Sequence, residues 1–166
     1  MFAVLMAACA QITVPMVPVP MTLQTFAVLL AGAAMGPWRG VSATLLYLAA
    51  AWAGLPVLSD ARGGLDALTG PTAGYLVMFP VAAGLAGSMG RSGLASRPVA
   101  FIAGLCAIHL LVLAVGTAWL SQSIGYSQAI AAGFTPFLVG ALVKSGLVWT
   151  CLATTIRFRR RAPAVG

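Results

Sequence analysis

The sequence predicts an all-α integral membrane protein: a single bundle of six transmembrane helices with both termini on the cytoplasmic side. Three observations predict it. Hydrophobic residues make up 61% of the 166 and charged residues only 7%, with a mean hydropathy of +1.02, so too little polar surface exists to clothe a water-soluble globule. The apolar residues fall into several long runs, where one spanning helix needs ~20 residues, and this excludes a lone membrane anchor. The basic residues gather at alternate boundaries of those runs, which is the asymmetry that orients helical membrane proteins.

Six segments follow in order, each bounded by proline, glycine or charge. They cover about residues 1–14, 22–36, 38–53, 71–88, 98–120 and 134–156, within one domain over 1–166 that ends in a basic cytoplasmic tail at 157–166. The first two are short. At ~1.5 Å per residue, about 14 residues cover roughly 21 Å of a hydrocarbon core ~30 Å thick, so either the native chain starts upstream of Met1 or these helices do not span fully. With the N-terminus inside and one crossing per segment, Arg39, Arg91, Arg97, Arg157, Arg159, Arg160 and Arg161 fall inside. Arg62 falls outside, in the loop that also holds both acids, Asp60 and Asp66. Multi-pass insertion in a membrane follows from this distribution.

The same topology sorts the connections. The inner ones are short and basic, whereas the outer ones, "PMVPVPMT" (Pro15 to Thr22), "GLPVLSDARGGLDALTGPTAGY" (Gly54 to Tyr75) and "SQSIGYSQAIAAG" (Ser121 to Gly133), are longer and rich in turn residues. Irregular backbone near membrane depth is tolerated where it is buried in protein or lines a cavity. The outer loops therefore predict a site that opens outward.

Lys144 is the residue that points to what this site does. It lies in the middle of "FTPFLVGALVKSGLVWTC" (Phe134 to Cys151), a stretch with no acid. A lysine at a helix centre costs about 2.5–3.5 kcal/mol to insert, and snorkelling is hardest there. It is expected to face a polar cavity and to meet an anionic or strongly hydrogen-bonding group of a ligand. The structural alternative is pairing with backbone carbonyls, or with Asp60 or Asp66 folded down from the outer loop.

Other function classes find little support. The net charge of +7 lies at the edges of apolar runs rather than in a basic stripe with interleaved aromatics, so nucleic acid is not an expected partner. "KS" at Lys144 and Ser145 does not end a phosphate-binding loop, because Val143 stands where glycine is required. Two acids in one loop and a single histidine elsewhere give no nucleophile, base and orienter, so no catalytic residues are assigned. His109 and Cys106 share a helix face, but two ligands without a third do not make a metal site; His109 is expected to be a buried, hydrogen-bonded histidine. Cys9, Cys106 and Cys151 are odd in number and scattered, which argues against a disulfide framework. "LMAAC" (Leu5 to Cys9) resembles a lipoprotein cleavage site without the basic region that should precede it, and no processing is expected.

Small residues recur four apart: Ala3 with Ala7, Gly32 with Gly36, and Ala83 with Gly87. Such pairs let helices approach closely in lipid. Most are expected to serve internal packing, while Ala3 and Ala7 could present a smooth face to another membrane subunit.

"AQITVPMVPVPMTLQTFAVLLAGAAMGPWRG" (Ala10 to Gly40), "LYLAAAWAGLPVL" (Leu46 to Leu58) and "GPTAGYLVMFPVAAGLAG" (Gly70 to Gly87) together resemble BioY, the biotin-binding S component of energy-coupling factor transporters. The resemblance covers most of the chain, in order. It implies a six-helix S component that captures biotin from outside, with no cofactor of its own. It also implies partners: a transmembrane coupling protein, which the small-residue face of the first helix (Ala3, Ala7) would contact, and a pair of cytoplasmic ATPases. Operation without a dedicated ATPase module, or as a homo-oligomer, remains open at this point.

Carried over residue by residue, "RGGLDALTGPTAGY" resembles the family's glycine-rich ligand lid, which makes Gly63, Gly64, Gly70, Thr72, Gly74 and Tyr75 candidate ligand contacts. Thr22 and Gln24 fall in the first motif, near the outer mouth. In the last helix the family usually reads P-F-x-P-G-D-x-x-K, whereas this chain reads "PFLVGALVK": Pro136, Phe137, Gly140 and Lys144 are kept, and Val139 and Ala141 replace a proline and an aspartate. Lys144 thereby loses the neighbour one helical turn away that could carry its counter-charge. Either Lys144 or Arg62 is expected to meet the biotin carboxylate, with Trp52, Tyr75 and Phe137 against its apolar parts. Ala141 also leaves room for an S component specific for another small vitamin, and the small-residue faces leave room for a membrane scaffold that binds no ligand.

Overall fold

The computed structural model describes residues 1–161, without the side chains of residues 67, 68 and 156–161. Eight helices and one two-stranded ladder order these residues: α1 (Phe2–Gln11), β1 (Thr13–Val14), β2 (Met21–Thr22), α2 (Gln24–Met35), α3 (Pro37–Trp52), α4 (Leu65–Thr69), α5 (Ala73–Arg91), α6 (Pro98–Ile124), α7 (Tyr126–Gly133) and α8 (Phe137–Arg161). Short 3-10 turns sit at Ser59–Ala61 and Leu94–Ser96. The second half of the expected tail, 162–166, lies outside the described residues.

Three stretches are long and apolar enough to cross a membrane: Ala73–Arg91, Pro98–Ile124 and Tyr126–Thr155, with mean hydropathies of 1.4, 2.5 and 1.6. Their outer flanks carry exposed Val77, Val81, Val99, Leu111, Val139 and Val143. A surface this apolar is matched to lipid rather than water, and the chain is a membrane protein. α1 and α2 are shorter apolar helices, of 10 and 12 residues.

The centre is formed by α5, which packs against α2, α3 and α6, while α8 lies against α6 and α2. Close approach is built from small residues. A methyl group at Gly32 would strike the Ala83 carbonyl, one at Gly87 would strike the backbone of Pro37, and one at Gly90 the Ala33 carbonyl. Without a hydrophobic drive between helices in lipid, this backbone proximity is what van der Waals packing requires. Gly32, Gly36, Ala83 and Gly87 thus serve internal packing. Between α2 and α3, Gly36 at φ 87° ends one helix and Pro37 starts the next, the glycine-then-proline order that lets a chain reverse sharply.

Two connections differ from the irregular loops expected from composition. "PMVPVPMT" is closed by a ladder, Thr13 opposite Thr22 and Val14 opposite Met21. Residues 121–133 are helical: α6 continues to Ile124, and Gly125 at φ 83° breaks the chain direction before α7 begins. A single glycine suffices for that turn because only glycine adopts positive φ at little cost, so the polar stretch on either side of it keeps helical hydrogen bonds. Ala3 and Ala7 are half-buried and pack against the core, while Val4 on the same helix is exposed.

Candidate functional site

At one end of the bundle, β2 and the loop from Gly54 to Thr72 close over the ends of α2, α5, α6 and α8 and leave a cavity of about 70 Å³. That is several times the ~10–15 Å³ needed to hold one water on this measure. Val19, Pro20 and Thr22 line it from the hairpin, Leu58, Ser59, Arg62 and Thr72 from the long loop, and Phe79, Val112, Leu113 and Phe137 make apolar walls.

Lys144 lies in this cavity and is only 7% exposed. Its ammonium donates to the Thr25 hydroxyl at 3.1 Å. The pairing with Asp60 or Asp66 weighed from sequence does not form: Asp60 sits 3.8 Å from Arg62, and among the described residues Lys144 has no carboxylate partner. The reason is the fold of the loop. Asp60 and Ala61 take left-handed φ of 58° and 52°, which turns the Asp60 side chain out to solvent. An ammonium has three donors, so two remain for a ligand or water.

Left-handed φ in non-glycine residues costs of order 1 kcal/mol or more each and persists only where the surroundings hold it. Gln11 provides much of that hold. Its amide donates to the Leu58 carbonyl at 2.9 Å and accepts from the Ala61 N–H at 3.2 Å. Within the loop, Arg62 bends back onto Ser59, donating to its carbonyl and hydroxyl at 3.3 and 3.4 Å. The Gly64 N–H anchors the far side to the Ala51 carbonyl at 2.7 Å.

Tyr75 is held as rigidly. Its hydroxyl donates to the Gly133 carbonyl at 2.8 Å and lies 3.3 Å from the Thr117 hydroxyl. Gly116 leaves the space its ring occupies, and the ring stacks on Phe137 with centroids 6.4 Å apart. On the opposite wall, the buried Gln24 donates to the Tyr47 hydroxyl and accepts from Thr22 at 3.1 Å. Tyr47 passes the chain on to the Val57 carbonyl at 3.0 Å.

The structure therefore brings Lys144, Arg62, Thr72, Tyr75, Thr22, Gln24 and Ala141 to one cavity. Gly63, Gly64, Gly70 and Gly74 are not among its lining residues. Gly63 packs on the Leu55 backbone and Gly74 on Trp119; Gly64 turns the chain at φ 88°; the Gly70 carbonyl accepts from the Trp119 indole at 3.1 Å. These glycines shape the loop and seat it on α6. Trp52 is exposed and does not line the cavity. Sequence reasoning overlooked Thr25, three residues after Thr22 and in the first turn of α2. It placed His109 as a buried hydrogen-bonded residue, which it is, without placing it in the cavity wall.

The model of the BioY family matches residues 1–161. The chain belongs to the BioY family. Among its relatives, a probable biotin transporter BioY of Pyrococcus horikoshii is 38% identical over 145 residues, covering 87% of this chain and 85% of that protein. The biotin transporter BioY of Rhodobacter capsulatus is 37% identical over 166 residues, covering 90% and 87%. The crystal structure of the S-component for biotin from an ECF-type ABC transporter is similar, with a TM-score of 0.77 and 25% identity over 97% of this chain and 88% of that one. BioY proteins are transporter subunits and not enzymes. The helix order of the BioY fold thus carries, in this chain, a cavity with one deeply buried cation and one half-exposed one.

Proposed function

We propose that this chain captures biotin on the outer side of a bacterial-type inner membrane and delivers it inward. Its partners in this reading are a transmembrane coupling protein and a pair of cytoplasmic ATPases, which supply the energy, and its own part is substrate binding. The observation that carries the reading is Lys144. A BioY-family chain retains a desolvated cation with spare donors in the same cavity as Arg62, Tyr75 and Phe137.

Biotin matches that cavity in chemistry. It has a carboxylate for a cation, a ureido group for hydrogen-bonding side chains, and an apolar bicycle and tail for Phe79, Val112 and Phe137. The long loop acts as the lid, anchored by Gln11 of α1 and by the Ala51 carbonyl of α3, which holds Gly64. The whole chain forms one domain that crosses the membrane six times with both termini inside, as the distribution of arginines supports. Ala3 and Ala7 contribute to the surface of α1 that meets the coupling protein.

Thermal-shift titration of the purified protein against biotin, desthiobiotin and other vitamins tests the proposal. Stabilisation by biotin at low concentration, weaker with the others, is expected. Stabilisation by another vitamin in preference to biotin would overturn it.

A further inference from the structure

His109 is the chain's single histidine, 4% exposed, and it lines both the main cavity and a narrower void that shares Thr25, Phe79 and Val112 with it. Its Nδ1 lies 3.2 Å from the Leu105 carbonyl and 3.2 Å from the Ser145 hydroxyl. A carbonyl only accepts. The Ser145 hydroxyl spends its proton on the Ala141 carbonyl at 2.8 Å, so towards His109 it too can only accept. Both contacts therefore require the ring proton on Nδ1, and the neutral imidazole then presents Nε2 as a bare acceptor. Nε2 is buried and is the one buried side-chain polar atom without a partner among the described residues. An unpaired buried polar atom is costly and calls for an explanation.

The neighbours of His109 in the cavity wall sharpen what could pair with it. Lys144 can only donate, and Ala141, one helical turn from it, adds no polar side-chain atom. The inner end of the cavity thus combines a donor and an acceptor, which suits a group that itself carries an N–H beside a carbonyl. A carboxylate offers no N–H and would set its lone pairs against that of Nε2.

We propose that His109 is a specificity-determining residue whose Nε2 accepts a hydrogen bond from an N–H of the bound ligand, while Lys144 donates to the adjoining carbonyl. Resting on the biotin reading, this places the ureido group beside His109 and Lys144 and leaves the carboxylate to Arg62 at the half-exposed loop.

Two measurements test it. Biotin and a biotin methylated on its ureido nitrogens are titrated against the unsubstituted protein and His109→Leu. Biotin is expected to bind His109→Leu about tenfold or more weakly, and the preference for biotin over the methylated analogue is expected to shrink. Equal biotin affinity in both proteins would overturn the assignment while leaving the biotin reading intact; failure of biotin to bind the unsubstituted protein would overturn both. The second measurement needs no variant: with histidine-selective 15N labelling, one pair of ring signals reports His109 alone. A proton on Nδ1 and an Nε2 signal that moves when biotin is added are expected, and a proton on Nε2 in the ligand-free protein would overturn the assignment.

Discussion

The Lys144 ammonium on α8 donates to the Thr25 hydroxyl on α2 at 3.1 Å, across 119 residues of sequence. A neutral hydroxyl orients a cation without cancelling its charge, so Lys144 keeps most of its capacity for a ligand. Lys144→Ala is expected to weaken biotin binding at least about tenfold, the scale of a lost charge-assisted hydrogen bond, while the protein still inserts and folds. Thr25→Val is expected to lower affinity by a smaller factor. Equilibrium titration of the purified variants measures both.

Tyr75 gives a prediction that separates packing from hydrogen bonding. Tyr75→Phe keeps the stack on Phe137 but leaves the buried Gly133 carbonyl without its donor, at a cost of about 1–3 kcal/mol. Gly116→Ala drives a methyl group into the Tyr75 ring and is expected to be at least as damaging. Thermal unfolding in detergent would show a lower midpoint for both.

The α2–α5 contact predicts a contrast between two glycines. At Gly32 a side chain meets the Ala83 backbone, which cannot yield as a flexible side chain would, whereas nothing lies near an added Cβ at Gly146. Gly32→Leu is expected to abolish accumulation of folded protein, and Gly146→Ala to behave as the parent chain does, in membrane fractions assayed by size-exclusion chromatography.

Gln11 predicts an effect on kinetics. It lies outside the cavity but holds Leu58 and Ala61 of the loop that covers it. Gln11→Ala frees the strained turn at Asp60 and Ala61, and biotin is expected to dissociate severalfold faster with a smaller change in association rate. Stopped-flow release of labelled biotin distinguishes this from a uniform loss of binding.

Much of the helical frame was legible because hydropathy, proline, glycine and arginine mark it directly. The segments expected at 71–88, 98–120 and 134–156 overlap α5, α6 and α8, with ends displaced by a few residues. The hairpin at Thr13 to Thr22 was not legible, since only two residues pair on each strand and the prolines between them read as loop. Nor was α7, whose serine, glutamine and glycine suggest a turn although one positive-φ glycine just before it, Gly125, breaks the chain direction. Lys144 stood out as an isolated charge, and the family pattern pointed to Tyr75, Gln24 and Arg62. Thr25 gave no comparable signal, and His109 was legible as a buried, hydrogen-bonded histidine but not as part of the cavity wall. Each is an ordinary residue on an apolar helix until α2, α6 and α8 meet, and their contacts with residues far along the chain depend on that meeting.

The most direct test of the central claim is isothermal titration of the purified chain with biotin, paired with the same titration of Lys144→Ala. Saturable binding of one biotin per chain is expected, weakened at least about tenfold in the variant. Absence of biotin binding, or equal affinity in the two proteins, would contradict it.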